Sequence, residues 1–167
     1  MTPQSNRRIH MNLYIQQRIL TWGDKFSIYD AAGNEKYYVE GEILTFGKKL
    51  HLYDLQGNEL AYIEQQLLTF LPKYLIYRGN EEFAEVVKEF TFFHPEYTVN
   101  GPGWSVHGDF FDHDYEVTDG DTVIASVAKE WFTLGDAYEI SFGAGVDEIA
   151  ALAVVLVIDA CIDAQRN

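Results

Sequence analysis

The chain has 167 residues, enough for one domain with a real core, and 47% of them are hydrophobic and 15% aromatic, which excludes a disordered chain. Its formal charge of -14 comes from 12 Lys plus Arg against 26 Asp plus Glu; such a surface repels phosphate backbones, excluding nucleic acid as a partner, and disfavours anionic headgroups. The single Cys161 excludes an internal disulfide and, with no zinc-ligand spacing or C-x-x-C pair, points to a reducing cytoplasm.

Residues 1–10 (MTPQSNRRIH) are polar and hold no apolar stretch of signal-peptide length, so nothing in them argues for secretion. Met11 is a candidate start. The first ten residues are expected to be a disordered arm or an appended extension, and residues 11–167 a single domain, because the apolar pattern begins with Leu13, Tyr14 and Ile15.

From there the chain repeats. Tyr29-Asp30-Ala31-Ala32-Gly33-Asn34-Glu35 recurs 24 residues later as Tyr53-Asp54-Leu55-Gln56-Gly57-Asn58-Glu59. Each copy follows an alternating run, Phe26-Ser27-Ile28 or Leu50-His51-Leu52, and supplies the Asp, Gly and Asn that tight turns prefer. A second signature, Thr between two apolar residues, alternates with this turn. It appears as Leu20-Thr21-Trp22, Leu44-Thr45-Phe46, Leu68-Thr69-Phe70, Phe90-Thr91-Phe92 and Phe132-Thr133-Leu134, at intervals of 24, 24, 22 and 42. The last interval is nearly two units, and Asp109-Phe110-Phe111 stands where a degenerate copy would fall. One hairpin per unit predicts six hairpins and twelve strands. The likeness of Thr21-Trp22-Gly23-Asp24 to Thr133-Leu134-Gly135-Asp136 makes the first and last units equivalent, as in a sheet that closes on itself.

Residues 82–90 carry two signals. Phe83, Val86, Val87 and Phe90 have helical spacing, while the Arg78-Gly79-Asn80 turn before them and Thr91-Phe92-Phe93 after them carry the β pattern. The assignment is strand, with helix as the alternative.

After Gly145 the character changes. Asp147 is a suitable N-cap and Glu148 an acidic first-turn residue, and Ile149 through Ile158 contains no polar side chain. A helix apolar on every side must be enclosed by protein or lipid. A membrane span needs about 20 apolar residues, so no transmembrane segment is expected and the strands must enclose this helix. The predicted fold is a closed twelve-stranded antiparallel barrel around a central C-terminal helix.

Four segments together, Tyr14-Ile15-Gln16-Gln17, Val39-Glu40-Gly41-Glu42-Ile43, Gly108-Asp109-Phe110 and Leu152 through Asp159, resemble the LURP-one-related family, in its bacterial YxjI-like branch, over residues 11 to about 163. The resemblance implies a tubby C-terminal-like fold, shared with tubby proteins and phospholipid scramblases. It brings no catalytic motif. The basic residues through which tubby relatives bind phosphoinositides have no matching positions here.

No catalytic, cofactor-binding or metal-binding residue is assigned. The richest cluster is His107, Asp109, Asp112, His113, Asp114, Glu116, Asp119 and Asp121, with Asp112, Asp114, Asp119 and Asp121 the candidate cation ligands. Read as an EF-hand it fails, having Val117 at position 6 and Val123 at position 12. There is no G-x-S-x-G elbow, the five serines lie beside no recognisable base, and Cys161 sits in the apolar helix. Gly143-Ala144-Gly145 lacks the Lys-Ser/Thr of a phosphate loop. The leading reading is a non-catalytic intracellular binding or scaffold domain without a cofactor, whose partner is a protein or a lipid. The alternative is a phospholipid- or phosphoinositide-binding module making peripheral membrane contact, and the third is a metal-dependent hydrolase at residues 112–121.

Overall fold

The computed structural model describes residues 11–16, 25–42, 46–130 and 137–166. The expectations for residues 1–10, for the likeness of 21–24 to 133–136, and for Leu20-Thr21-Trp22, Leu44-Thr45 and Phe132-Thr133-Leu134 fall outside these residues. Twelve strands precede one helix. They are β1 (Asn12–Gln16), β2 (Lys25–Asp30), β3 (Glu35–Gly41), β4 (Lys49–Asp54), β5 (Glu59–Gln66) and β6 (Lys73–Arg78), then β7 (Glu81–Glu89), β8 (Glu96–Asn100), β9 (Trp104–Asp109), β10 (Asp114–Asp119), β11 (Thr122–Glu130) and β12 (Ala137–Phe142). Each strand pairs antiparallel with its chain neighbours, and β1 closes on β12 with Asn12 opposite Ser141 and Gln16 opposite Ala137. Closure leaves no unpaired edge.

The alternation of side chains then divides each strand into an inner and an outer face. In β4, Leu50 and Leu52 are buried while His51 and Tyr53 face outward. The 24-residue repeat survives to the level of single bonds. In the first turn Asp30 Oδ1 accepts hydrogen bonds from the backbone N–H groups of Ala32 and Asn34, and in the second Asp54 Oδ1 accepts them from Gln56 and Asn58. Gly33 and Gly57 sit at φ +81° and +86°, where a Cβ would be strained. A bulge recurs with the same period, at Ile28/Tyr29, Leu52/Tyr53 and Ile76/Tyr77.

Helix α1 (Glu148–Arg166) fills the barrel. Asp147 caps it by accepting a hydrogen bond from the N–H of Ala150 at 3.1 Å. Every residue from Ala151 to Ile158 is fully buried, and each Leu, Ile or Val so enclosed contributes about 1.5–3 kcal/mol.

Residues 82–89 are strand, lying within β7, and the helical spacing is accidental. Ala84 and Val86 point inward, while Phe83 packs outside against Trp104 at 6.3 Å between ring centroids. The expectation that Thr91-Phe92-Phe93 continues the strand is corrected, because residues 90–95 are a loop between β7 and β8.

The meander gives the barrel two unlike ends. The connections β2–β3, β4–β5, β6–β7, β8–β9 and β10–β11, together with residues 143–147 leading into α1, lie at one, the turn end. At the other, the loop end, lie the connections β3–β4, β5–β6, β7–β8 and β9–β10. The helix enters at the turn end, so its C-terminus emerges among the loops.

Candidate functional site

The loop end is where the chain departs from ordinary burial. The Thr-centred signatures that the structure describes are not strand segments; Leu68-Thr69-Phe70 and Phe90-Thr91-Phe92 are loops there. Their apolar side chains stand in solvent: Phe46 is 90% exposed, Leu68 106%, Phe70 97%, Phe90 74%, Phe92 90% and Phe93 89%. Leu67 and Phe111 beside them are about half exposed. Leu68 also holds the left-handed region at φ +60°, a strained conformation for a side chain of that size. An open concavity of about 530 Å³ runs between Phe70, Phe90, Phe92, Phe93, Phe111 and Gln165 near the end of α1. Among the described residues the other exposed large apolar side chains, Met11, Leu55 and Val123, are scattered.

Beneath this surface His113, a member of the acidic constellation in the sequence, joins two groups outside that constellation, Tyr138 and Asp159. His113, buried and at φ +51°, stacks on Tyr138 with centroids 4.6 Å apart. The Tyr138 hydroxyl donates to Asp159 Oδ2, and His113 Nε2 lies 3.6 Å from Asp159 Oδ1, beyond hydrogen-bond length. That Oδ1 and the Tyr115 hydroxyl are both buried with no hydrogen-bond partner. Burial pushes the Asp159 carboxyl above its usual range, against the pull of His113 beside it. The signal for this cluster was Asp159 itself, a carboxylate directly after ten apolar residues. Its partner His113 lies 46 positions away, where the sequence grouped it with the neighbouring carboxylates rather than with Asp159.

The acidic constellation does not converge. Asp112 lies in the β9–β10 loop and Asp114 at the adjoining start of β10, both at the loop end, whereas Asp119 and Asp121 flank the turn at the far end of β10. Five residue steps of extended strand take the chain from Asp114 to Asp119, roughly 17 Å. Asp109 Oδ1 is engaged in accepting a hydrogen bond from the Asp112 N–H at 3.2 Å. His107 pairs opposite Glu116 across β9 and β10. Among the described residues no group of three or more His, Cys, Asp or Glu side chains is arranged to hold a metal ion. Cys161 is buried beside Tyr74 and Tyr97, and burial pushes its thiol up to about 12, far from a reactive thiolate.

Along the outer wall of β3 to β6 the rings of Tyr38, Tyr53, His51, Tyr62 and Tyr77 form a continuous ladder, with neighbouring centroids 4.8–6.0 Å apart. His51 is held between Glu42 at 2.9 Å and Glu59 at 2.6 Å. Such cross-strand pairs stabilise a sheet, and the ladder is fully accounted for by that role.

Known proteins resemble the chain over most of its length. A family model described as LURP-one-related matches residues 11–159. The uncharacterized protein YxjI of Bacillus subtilis (strain 168) is 34% identical over 149 residues, covering 89% of this chain and 92% of that protein. An X-ray structure of a protein from Arabidopsis thaliana superposes with a TM-score of 0.63 at 15% identity, covering 95% of this chain and 92% of that one. At that identity the likeness concerns the fold alone.

Proposed function

The chain belongs to the LURP-one-related family, and from that premise we propose that it is a non-catalytic binding module whose contact surface is the loop end of the barrel. The observation that supports this reading is the crowding of exposed Phe and Leu side chains onto four successive loops of one end. Monomeric soluble proteins rarely expose large apolar patches, and those they do expose are often contact sites. The binding reading is also supported by the chemistry of the buried groups. The His113–Asp159–Tyr138 cluster is sealed under the loops, and Cys161 is held as a thiol. A single cysteine, which leaves no internal disulfide to form, supports a cytoplasmic location.

The phosphoinositide alternative draws less support, because among the described residues four lysines of the loop-end rim are engaged by carboxylates, with Lys88 lining the concavity outside these pairs. Lys25 pairs with Glu40, Lys48 with Asp163, Lys49 with Glu42 and Glu64, and Lys73 with Glu85.

A photo-crosslinking side chain placed at position 70 or 92, and for comparison at positions 32 and 56 of the turn end, tests the reading in cells. Adducts concentrated at 70 and 92 are expected. Adducts at the turn-end positions alone would overturn it, as would turnover in a substrate panel that is lost on changing one defined residue.

A further inference from the structure

Resting on the reading of the loop end as the contact surface, we infer that its occupant is an electrically neutral lipid surface, into which Leu68, Phe70, Phe92 and Phe93 insert while the barrel remains in water. Area sets the first condition. A phenylalanine offers ~150–250 Å² of apolar surface, so the five exposed Phe rings of the loop end present roughly 700 Å² or more together. The largest patch on a typical soluble monomer is about 300–600 Å².

The shape of that surface favours lipid over a folded partner. Phe70, Phe92 and Phe93 are 97%, 90% and 89% exposed, so each ring meets solvent on nearly every side instead of packing into a flat patch. A rigid protein would need a separate fitted pocket for each. Acyl chains close around projecting side chains without prior complementarity, and amphipathic anchors seat only about 5–10 Å deep. Leu68 fits the same pattern, held at φ +60° with its whole side chain in solvent. No helix of the described residues is long and apolar enough to cross a bilayer.

Charge selects the kind of lipid. Among the described residues Lys25, Lys48, Lys49 and Lys73 of the rim are paired with carboxylates, Lys88 alone of the described lysines lines the concavity, and the formal charge of -14 opposes approach to anionic headgroups. It equally opposes a second copy of the chain, which brings the same charge to the same face. A zwitterionic surface carries no such repulsion.

The test is flotation of the full chain with phosphatidylcholine vesicles and with vesicles containing phosphatidylglycerol, at low and high salt. Binding to phosphatidylcholine should be insensitive to salt, and binding to the anionic vesicles weaker at low salt and strengthened as salt screens repulsion. The combined Phe70→Ser, Phe92→Ser and Phe93→Ser variant should bind about a hundredfold more weakly with unchanged Tm, and Phe92→Ser alone about tenfold more weakly. No flotation, flotation confined to anionic vesicles at low salt, or a combined variant that floats like wild type would overturn the inference. Sedimentation run in parallel separates the two claims. A wild-type dimer dissolved by the combined variant, without flotation, overturns the lipid surface and keeps the loop end as the contact site. If flotation, sedimentation and crosslinking all ignore the loop end, both fail.

Discussion

At the turn end, Asp30 and Asp54 each gather two backbone N–H groups and an Asn side chain, so the exposed polar groups are satisfied within one short segment. At the loop end the same 24-residue period delivers Leu68-Thr69-Phe70 to a connection whose apolar side chains rest on nothing. Local hydrogen bonding explains the first region entirely. In the second, the exposed Phe and Leu side chains gain nothing from folding, and it is this composition that the proposed contact surface accounts for. The two ends also respond oppositely to acid. Hydrogen bonds from Asn34 and Asn58 hold the carboxyls of Asp30 and Asp54 below their usual range, whereas burial holds Asp159 above it.

The largest expected effect breaks the comparison by removing the element that joins the two ends. Truncation after Gly145 strips out the helix and exposes the barrel lining, and circular dichroism should then show no cooperative thermal transition; retention of a sharp transition would contradict the enclosed-helix architecture.

A middle-sized effect sharpens the contrast in pH response. The charged form of Asp159 is disfavoured in the folded state, so its contribution to stability is neutral below its unfolded pKa and turns unfavourable as pH rises through its folded one. Asp159→Asn should therefore be more stable than wild type at pH 7, with the difference closing as pH falls toward the ordinary Asp value. Asp54 has the opposite sign: its stabilisation is present above the ordinary Asp value and fades as pH drops through the lowered one. Asp54→Ala should thus be less stable at pH 7 and approach wild type in acid. Urea titrations across this pH range read both, and two curves of the same sign would refute the contrast.

The smallest expected change lies where the side chains are most conspicuous. Phe92→Ser should shift stability by no more than about 0.5 kcal/mol, the ordinary range for exposed positions, measured by denaturant midpoint. A loss of several times that size would mean that Phe92 is part of the fold rather than of a contact surface.

Much of the architecture was legible because it rests on local periodicity. The twin turns at Asp30 and Asp54 announce hairpins, the period-two runs announce strands, and ten apolar residues too few to cross a bilayer announce an enclosed helix. Residues 82–90 showed the limit, since a short segment with apolar side chains at 83, 86, 87 and 90 satisfies both periods until its neighbours in the sheet decide. The candidate surface was half legible. The Thr signature was visible as a repeat, but repetition cannot say whether an apolar residue points into a core or away from it.

By itself, then, the amino-acid order determined the hairpin unit, the number of strands and the enclosed helix, because each depends on residues close in the chain. Tertiary structure alone decided that Leu68-Thr69-Phe70 and Phe90-Thr91-Phe92 cap one end with exposed Phe and Leu, and that Asp112 and Asp114 are carried away from Asp119 and Asp121. It also brought His113 beneath those loops onto Asp159. The physical reason is common to all three: an antiparallel strand moves its two ends apart by its own length, and a closed barrel then gathers onto one rim residues that the chain keeps more than twenty positions apart.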